Sequence, residues 1–238
     1  LWRPILDEVS KQAGVQLVFK TASNIPAFEN AVRQGVYDLS YMNPYHYAVF
    51  HNVSGYSALV AKRPGGLAGI VVVKQNSPIT SLEALAGKKM VFPSPAAFAA
   101  SMLVRQELKQ RGIKVDIDYV RNHDSVYANV AKGFAAAGGG VDRTFNTTNP
   151  DAKEALRVLW RSGSYTPHPI AAQNRVPHAL QQKIQQAFID LSNTEKGKAM
   201  LKKLRIPSFG VVNDDHYESV RALNWNDLPG SLSEVSAP

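Results

Sequence analysis

The sequence predicts an α/β protein built as two lobes, and three observations carry that prediction. Strand-like and helical patterns alternate almost throughout the chain, which implies mostly parallel sheets flanked by helices. The short elements on either side of a middle segment are too many for one ordinary sheet. Asn76-Ser77-Pro78 and Gly163–Pro169 interrupt the patterns and mark where the chain crosses between lobes. The expected division is 1–74 with 167–238 in lobe 1 and 75–166 in lobe 2.

Each element has its own signal. Residues 3–13 read as the end of a helix, followed by a strand at Val15–Lys20. Pro26–Gln34 has helical spacing with Gly35 as its stop, and Tyr37–Met42 reads as the next strand. The residues around Pro44 read as an aromatic turn at that strand's end, with Tyr47 filling core. Ile70–Lys74 is an unbroken β-branched run, the pattern of a strand buried on both faces. Thr80-Ser81-Leu82-Glu83 has the spacing of a capping box that opens a short helix stopping at Gly87.

Met90–Phe92 reads as a strand leading into a Pro-punctuated turn. The helix after it runs to about Arg111, apolar at Ala100, Leu103, Val104 and Leu108, with Gly112 as its cap. Val115–Val120 reads as a strand with alternating acidic residues, and Ser125–Lys132 as a helix. The Ala/Gly stretch 135–140 reads as a strand in tight surroundings, where Gly138–Gly140 permits close backbone approach. Val158–Trp160 and Ile170–Gln173 read as short strands, Pro177–Leu191 as a helix and Thr194–Leu204 as a last helical unit. The polar tail Ser231–Pro238 is expected to fray.

Composition narrows the function. With 45% hydrophobic and 19% charged residues over 238 positions, the chain can bury a sizeable core and lacks the charge density of a disordered one. Its net charge of +8 comes from 27 basic against 19 acidic residues, yet the densest groups are Lys88-Lys89 and Lys202-Lys203 with Arg205. Nucleic-acid binding concentrates charge on one face, so this excess reads as a solvated basic surface, with no nucleic-acid partner. The absence of cysteine excludes disulfides, thiolate metal ligands and cysteine nucleophiles. No apolar run reaches the roughly 18 residues a membrane span needs. The opening Leu1-Trp2-Arg3 is expected to begin a mature or trimmed fragment.

Residues 91–101, Val-Phe-Pro-Ser-Pro-Ala-Ala-Phe-Ala-Ala-Ser, are the most informative stretch. In an α/β protein such a strand-to-helix turn faces the ligand crevice, and the free N–H groups of the first helical turn point into it. Hydroxyls or glycines usually accompany those amides when the ligand is phosphate. Here Ala97 and Phe98 stand there, which points to a ligand other than plain phosphate. Phe98 offers an aromatic face to an organic ligand or a cation, and Ser101 a hydroxyl.

Tyr41, Asn43 and Tyr45 lie at a strand's C-terminal end, where open α/β sheets place ligands. His123 follows a strand and precedes a helix, with Asp124 available as N-cap, and suits a donor to a ligand oxygen. Asp142 and Arg143 end the Ala/Gly strand and form either an ion pair or a ligand contact. His51, His168, His178 and His216 lack metal-ligand spacing, so neither a metal nor a cofactor is expected. His123 with Asp142 is the one pair an enzyme reading would use, and no nucleophile completes it. No catalytic residue is therefore expected.

Taken in order, several segments carry a family resemblance. They are Ala22-Ser23-Asn24, Gly35-Val36-Tyr37-Asp38-Leu39-Ser40-Tyr41-Met42-Asn43-Pro44, Gly69–Lys74 with Ser77-Pro78-Ile79, Leu82–Phe92, Asn122-His123-Asp124 and Val141-Asp142-Arg143-Thr144-Phe145. Together they resemble the periplasmic phosphate/phosphite/phosphonate-binding proteins, the PhnD-like branch of the type II solute-binding fold, over about residues 3–223.

The resemblance implies two α/β lobes closing on a small molecule by hinge bending, with the first strand of lobe 1 missing ahead of Leu1. It implies an extracytoplasmic, periplasmic solute receptor, the substrate-binding component of an ABC-type importer with a membrane permease as partner. The sensor domain of a histidine kinase, joined to its own transmembrane segment, is the alternative. In the family the segment matching 94–100 reads like Asp-Pro-x-Ser-Thr-Ser-Gly, and Ala97, Phe98 and Ala99 replace its hydroxyls. The pocket tyrosine of the loop matching Asn24–Pro26 is Ile25 here, another aromatic position matches Leu67–Gly69, and His123 and Asp142 match positions lining the family's cleft. The ligand so implied is an organic small molecule, anionic or amine-bearing, other than plain phosphate or phosphonate.

Overall fold

The structure, a computed structural model, describes residues 1–223 together with Trp225, Leu228 and Leu232. The tail expected to fray lies outside the described residues except for Leu232. The chain divides into two compact units. One is Leu1–Gly66 with Thr166–Ala222, and the other is Leu67–Tyr165 with the residues described after Ala222.

In chain order the first elements are α1 (Trp2–Ala13), α2 (Ile25–Arg33), β1 (Leu39–Tyr41), α3 (Pro44–Ser54), β2 (Tyr56–Arg63), β3 (Gly69–Lys74) and β4 (Lys89–Phe92). A π-turn over Phe98–Met102 leads into α4 (Leu103–Gln110), followed by β5 (Asp116–Tyr119), α5 (His123–Lys132) and β6 (Ala137–Val141). Next come α6 (Asp142–Phe145), α7 (Pro150–Glu154), β7 (Leu156–Arg161) and β8 (Pro169–Gln173). The chain continues with α8 (His178–Asp190), α9 (Glu195–Leu204), β9 (Ser208–Val211) and α10 (Glu218–Arg221).

The first unit holds the sheet β1-β8-β2-β9, antiparallel at every pair. On one side a core of Ile5, Val9, Leu59, Val60, Ile170, Ile184, Phe188, Leu201 and Phe209 joins α1, α8 and α9 to the sheet. Tyr45, Tyr47 and Phe50 of α3 are also buried, with Tyr56 and Tyr217.

The second unit holds the sheet β5-β4-β6-β3-β7. Here β4 runs parallel to β5 and β6, while β3 runs antiparallel to β6 and β7. Alternation along β3 builds two cores. Val71 and Val73 join Met90, Phe92, Val104 and Leu108, whereas Ile70 and Val72 join Val91, Val126, Tyr127 and Val130. The continuous apolar pattern of 70–73 thus has the expected cause, a strand covered on both faces.

Several expectations need correction. The sheets are not mostly parallel: parallel pairs arise only where α4 or α5 crosses over between strands of the second unit. Strands by which the chain enters or leaves a unit run the other way. Val15–Lys20 joins no ladder, and Val18 and Phe19 are exposed. The division also falls earlier than expected, because β3 is hydrogen-bonded between β6 and β7. Residues 67–74 therefore belong with 75–165. Leu82, already helical at φ −65°, makes no side-chain cap, and the expected capping box gives way to a 3₁₀ turn at Glu83–Leu85.

Candidate functional site

Strand direction decides which residues meet. In the second unit the parallel strands β4, β5 and β6 end at one edge of the sheet. There Phe92 leads into the turn before Phe98, Tyr119 leads to Asn122 and His123, and Val141 leads to Asp142 and Arg143. The antiparallel register Gly69↔Val141 and Ile70↔Arg161 adds the start of β3 and the end of β7. Three stretches that the sequence singled out far apart thus share the edge where α/β sheets place ligands.

The head of the helix at Phe98 is held by backbone packing. A Cβ on Gly69 would stand 2.0 Å from the Ala99 carbonyl oxygen, and one on Gly139 2.0 Å from that of Ala100. On the opposite face a Cβ on Gly140 would meet the Tyr127 hydroxyl at 2.3 Å and one on Gly138 would meet Val126 at 2.5 Å. Three consecutive glycines are needed because elements press on both faces of β6. This tight seating brings the first helical turn down onto the sheet.

The Ala97 carbonyl accepts from the Ser101 and Met102 N–H groups at 2.8 and 3.1 Å, the wide spacing of the π-turn. Ahead of them the N–H groups of Phe98, Ala99 and Ala100 have no backbone acceptor among the described residues. The Ser101 hydroxyl is buried without a hydrogen bond of normal geometry, beside the Tyr119 phenol, whose pKa burial raises.

At the β5 end, Arg121 takes a left-handed φ of 74° and turns the chain so that Asn122 caps α5, its Oδ1 accepting from the Ser125 N–H at 2.8 Å. The cap is therefore Asn122 and not Asp124, whose carboxylate accepts from the Thr148 hydroxyl at 3.3 Å. His123 Nδ1 is buried with no partner. Burial first, and the Arg143 guanidinium second, lower the His123 pKa, while Asp124 opposes them. Asp142 is ion-paired with Arg161, and Arg143 makes no ion pair among the described residues.

Two expectations for this edge change. Phe98 is 2% exposed, its ring set edge-on against Tyr165 at 5.5 Å and near Trp225 at 5.8 Å between centroids. It anchors the helix instead of offering a free face. Asp142 and Arg143 do not pair with each other; Arg161 takes the carboxylate. Sequence reasoning missed Tyr165, Trp225 and Arg161, although two aromatics and a cation close to unit boundaries were the available signal.

In the first unit, Tyr41 ends β1 and is 42% exposed, with Trp2 at 5.0 Å and His168 at 5.4 Å between ring centroids. Asn43 caps α3 by accepting from the His46 N–H at 2.8 Å, and Asn24 caps α2 by accepting from the Ala27 N–H at 2.8 Å. Ile25 is exposed at the start of α2. Tyr45, expected beside the ligand, is 1% exposed within the core, because the residues after Pro44 form a helix whose first half, Pro44–Ala48, is wholly buried, and not an open turn. Of the first-unit candidates, Tyr41 and Ile25 present apolar surface, while the two asparagines use their side chains on helix ends.

Among the described residues, no group of three or more His, Asp or Glu side chains gathers to hold a metal ion, and no helix is long and apolar enough to cross a membrane.

A family profile described as ABC transporter, phosphonate, periplasmic substrate-binding protein matches residues 1–217. The phosphate-import protein PhnD of Mycolicibacterium smegmatis is 24% identical over 250 residues, an alignment covering 92% of this chain and 78% of that protein. XAC2383 from Xanthomonas citri bound to chloride ion superposes with a TM-score of 0.82 at 16% identity, over 93% of this chain and 89% of that one. PhnD1 from Prochlorococcus marinus in complex with methylphosphonate gives 0.78 at 17% identity, over 92% and 88%. The fold is that of the type II periplasmic binding proteins.

Proposed function

Because this chain belongs to the periplasmic substrate-binding proteins of phosphonate ABC transporters, we propose that it captures a small organic anion in preference to inorganic phosphate. It works outside the cytoplasmic membrane and hands its cargo to a membrane permease. The acidic group of the ligand sits on the free N–H groups of Phe98, Ala99 and Ala100, with His123 and Arg143 as further donors at the same sheet edge. One observation carries this reading: three amides without an acceptor among the described residues open a helix at the C-terminal edge of parallel strands. Helix dipole and amides together favour negative charge there.

The preference against phosphate rests on Ala97, Phe98 and Ala99, which bring no hydroxyl to that turn. Without those hydroxyls a tetrahedral dianion loses up to three donors, and each buried oxygen left without a donor costs about 1–3 kcal/mol. A monoanionic organic acid asks for fewer donors and adds apolar surface.

A thermal-shift screen tests the proposal with phosphate, phosphite and alkylphosphonates set against small organic acids and amines. An organic anion at ~100 times its dissociation constant is expected to add about 2.7 kcal/mol of stability. Stabilisation by phosphate alone overturns the preference, and a screen with no anionic hit overturns anion capture. Ala97→Ser returns one hydroxyl, and its expected effect is about a tenfold gain in phosphate affinity, roughly the worth of one charge-assisted hydrogen bond.

A further inference from the structure

Both carboxylates at the second unit's sheet edge are already engaged. Asp142 follows β6 and is ion-paired with Arg161 at the end of β7, the two brought together because Ile70 of β3 lies opposite both Gly140 and Arg161. Asp124 lies in the first turn of α5, where the helix end favours a negative charge, and accepts from the Thr148 hydroxyl. Arg143, like Arg121 after β5, makes no ion pair among the described residues, and the Arg143 charge reaches the His123 ring. An acidic ligand arriving here meets Arg143 and free amides. An ammonium group arriving here meets a carboxylate that already has its counter-ion.

Resting on the anion-capture reading above, we infer that Arg161 sets the ligand class by occupying Asp142, so that the protein takes anions without an ammonium group and rejects their amino-substituted counterparts. To hold an ammonium, Asp142 has to exchange Arg161 for it, leaving that guanidinium unpaired. Asp142 and Arg161 side chains are 40% and 49% exposed, so the pair contributes little to folding and its removal tests charge instead of stability.

Calorimetric titration of matched acids reads this out. The native protein is titrated with propylphosphonate and 3-aminopropylphosphonate, and with butyrate and 4-aminobutyrate. The unsubstituted acid of a pair is expected to bind about tenfold more tightly or better. Arg161→Gln frees the Asp142 carboxylate and is expected to bring the two members of each pair level. Asp142→Asn frees Arg161 instead and is expected to tighten the unsubstituted acids several-fold. Equal binding of both members by the native protein overturns the inference and leaves anion capture standing. So does a preference that survives in Arg161→Gln. If none of the four acids titrates and the screen of anions is also blank, anion capture fails and the inference with it.

Discussion

The two units put their candidate residues on differently built sheet edges, and the difference separates free backbone donors from side chains already spent on packing and capping. In the first unit every strand pair is antiparallel, and the edge at Tyr41 is dressed with aromatic rings. Its asparagines at 24 and 43 are spent on capping helices. In the second unit, helix crossovers make β4, β5 and β6 parallel, so three loops and a helix head with free amides gather at one edge. Parallel strands bring helix N-termini together, and antiparallel ones alternate them with strand starts. The first edge presents apolar surface; the second presents backbone amides without an acceptor among the described residues.

The largest expected effect breaks the second edge. Gly139→Val places a branched side chain where even a Cβ meets the Ala100 carbonyl at 2.0 Å and the Phe92 ring at 2.5 Å. Neither neighbour is the free end of a flexible side chain, so the helix head has to lift from the sheet. Urea unfolding should show a loss of about 3 kcal/mol or more, and anion binding should disappear with it. Gly210→Ala in the first unit is the control, since the three atoms nearest its Cβ all belong to the Arg63 side chain, the closest at 2.6 Å, and none to backbone. Equal losses in both variants would mean that close seating of the helix is not what distinguishes the second edge.

An intermediate effect belongs to the first unit. The Tyr47 hydroxyl donates to Asp214 at 2.9 Å and accepts from the Ala58 N–H at 3.2 Å, tying α3 to β2 and to the segment before α10. Burial raises the Tyr47 pKa far above its usual value, so the phenol stays protonated and keeps donating. Tyr47→Phe strands the buried Ala58 amide and is expected to cost about 1–3 kcal/mol. Because the loss falls on the supporting unit, affinity for an anion at the second edge should change less than twofold. A large drop in affinity at unchanged stability would reverse the roles assigned to the two edges.

The sequence shows these two regions with unequal clarity, for physical reasons. Ile70–Lys74 and the glycines of β6 are legible because burial on both faces leaves either an unbroken β-branched run or no side chain at all. The same condition hides α3. With Tyr45, His46, Tyr47, Ala48 and Phe50 all buried, its first half has no polar face to set a helical period. Its start was still signalled by Asn43 before Pro44, a cap followed by proline in the first turn. The 93–101 turn was read from its neighbours in sequence, and its free amides follow directly. The Asp142–Arg161 pair was not legible, since it depends on β3 standing between β6 and β7.

The smallest expected effect is a pH dependence carried by His123. Its folded pKa lies below the ordinary value of about 6.5, because burial and then Arg143 oppose the charged ring. As pH falls through 6.5, the unfolded chain binds a proton that the native ring refuses, so stability declines until the lowered folded pKa is reached. Above 6.5 the group contributes no slope. His123→Gln should therefore flatten the fall in unfolding free energy between pH 7.5 and 5.5. Identical slopes in both proteins would mean that the ring is solvated when folded. A bound organic anion should shrink the same difference, because its charge offsets Arg143 and makes protonation of His123 easier. If the anion leaves the slope untouched, His123 stands apart from the ligand, and the donors at this edge reduce to the amides and Arg143.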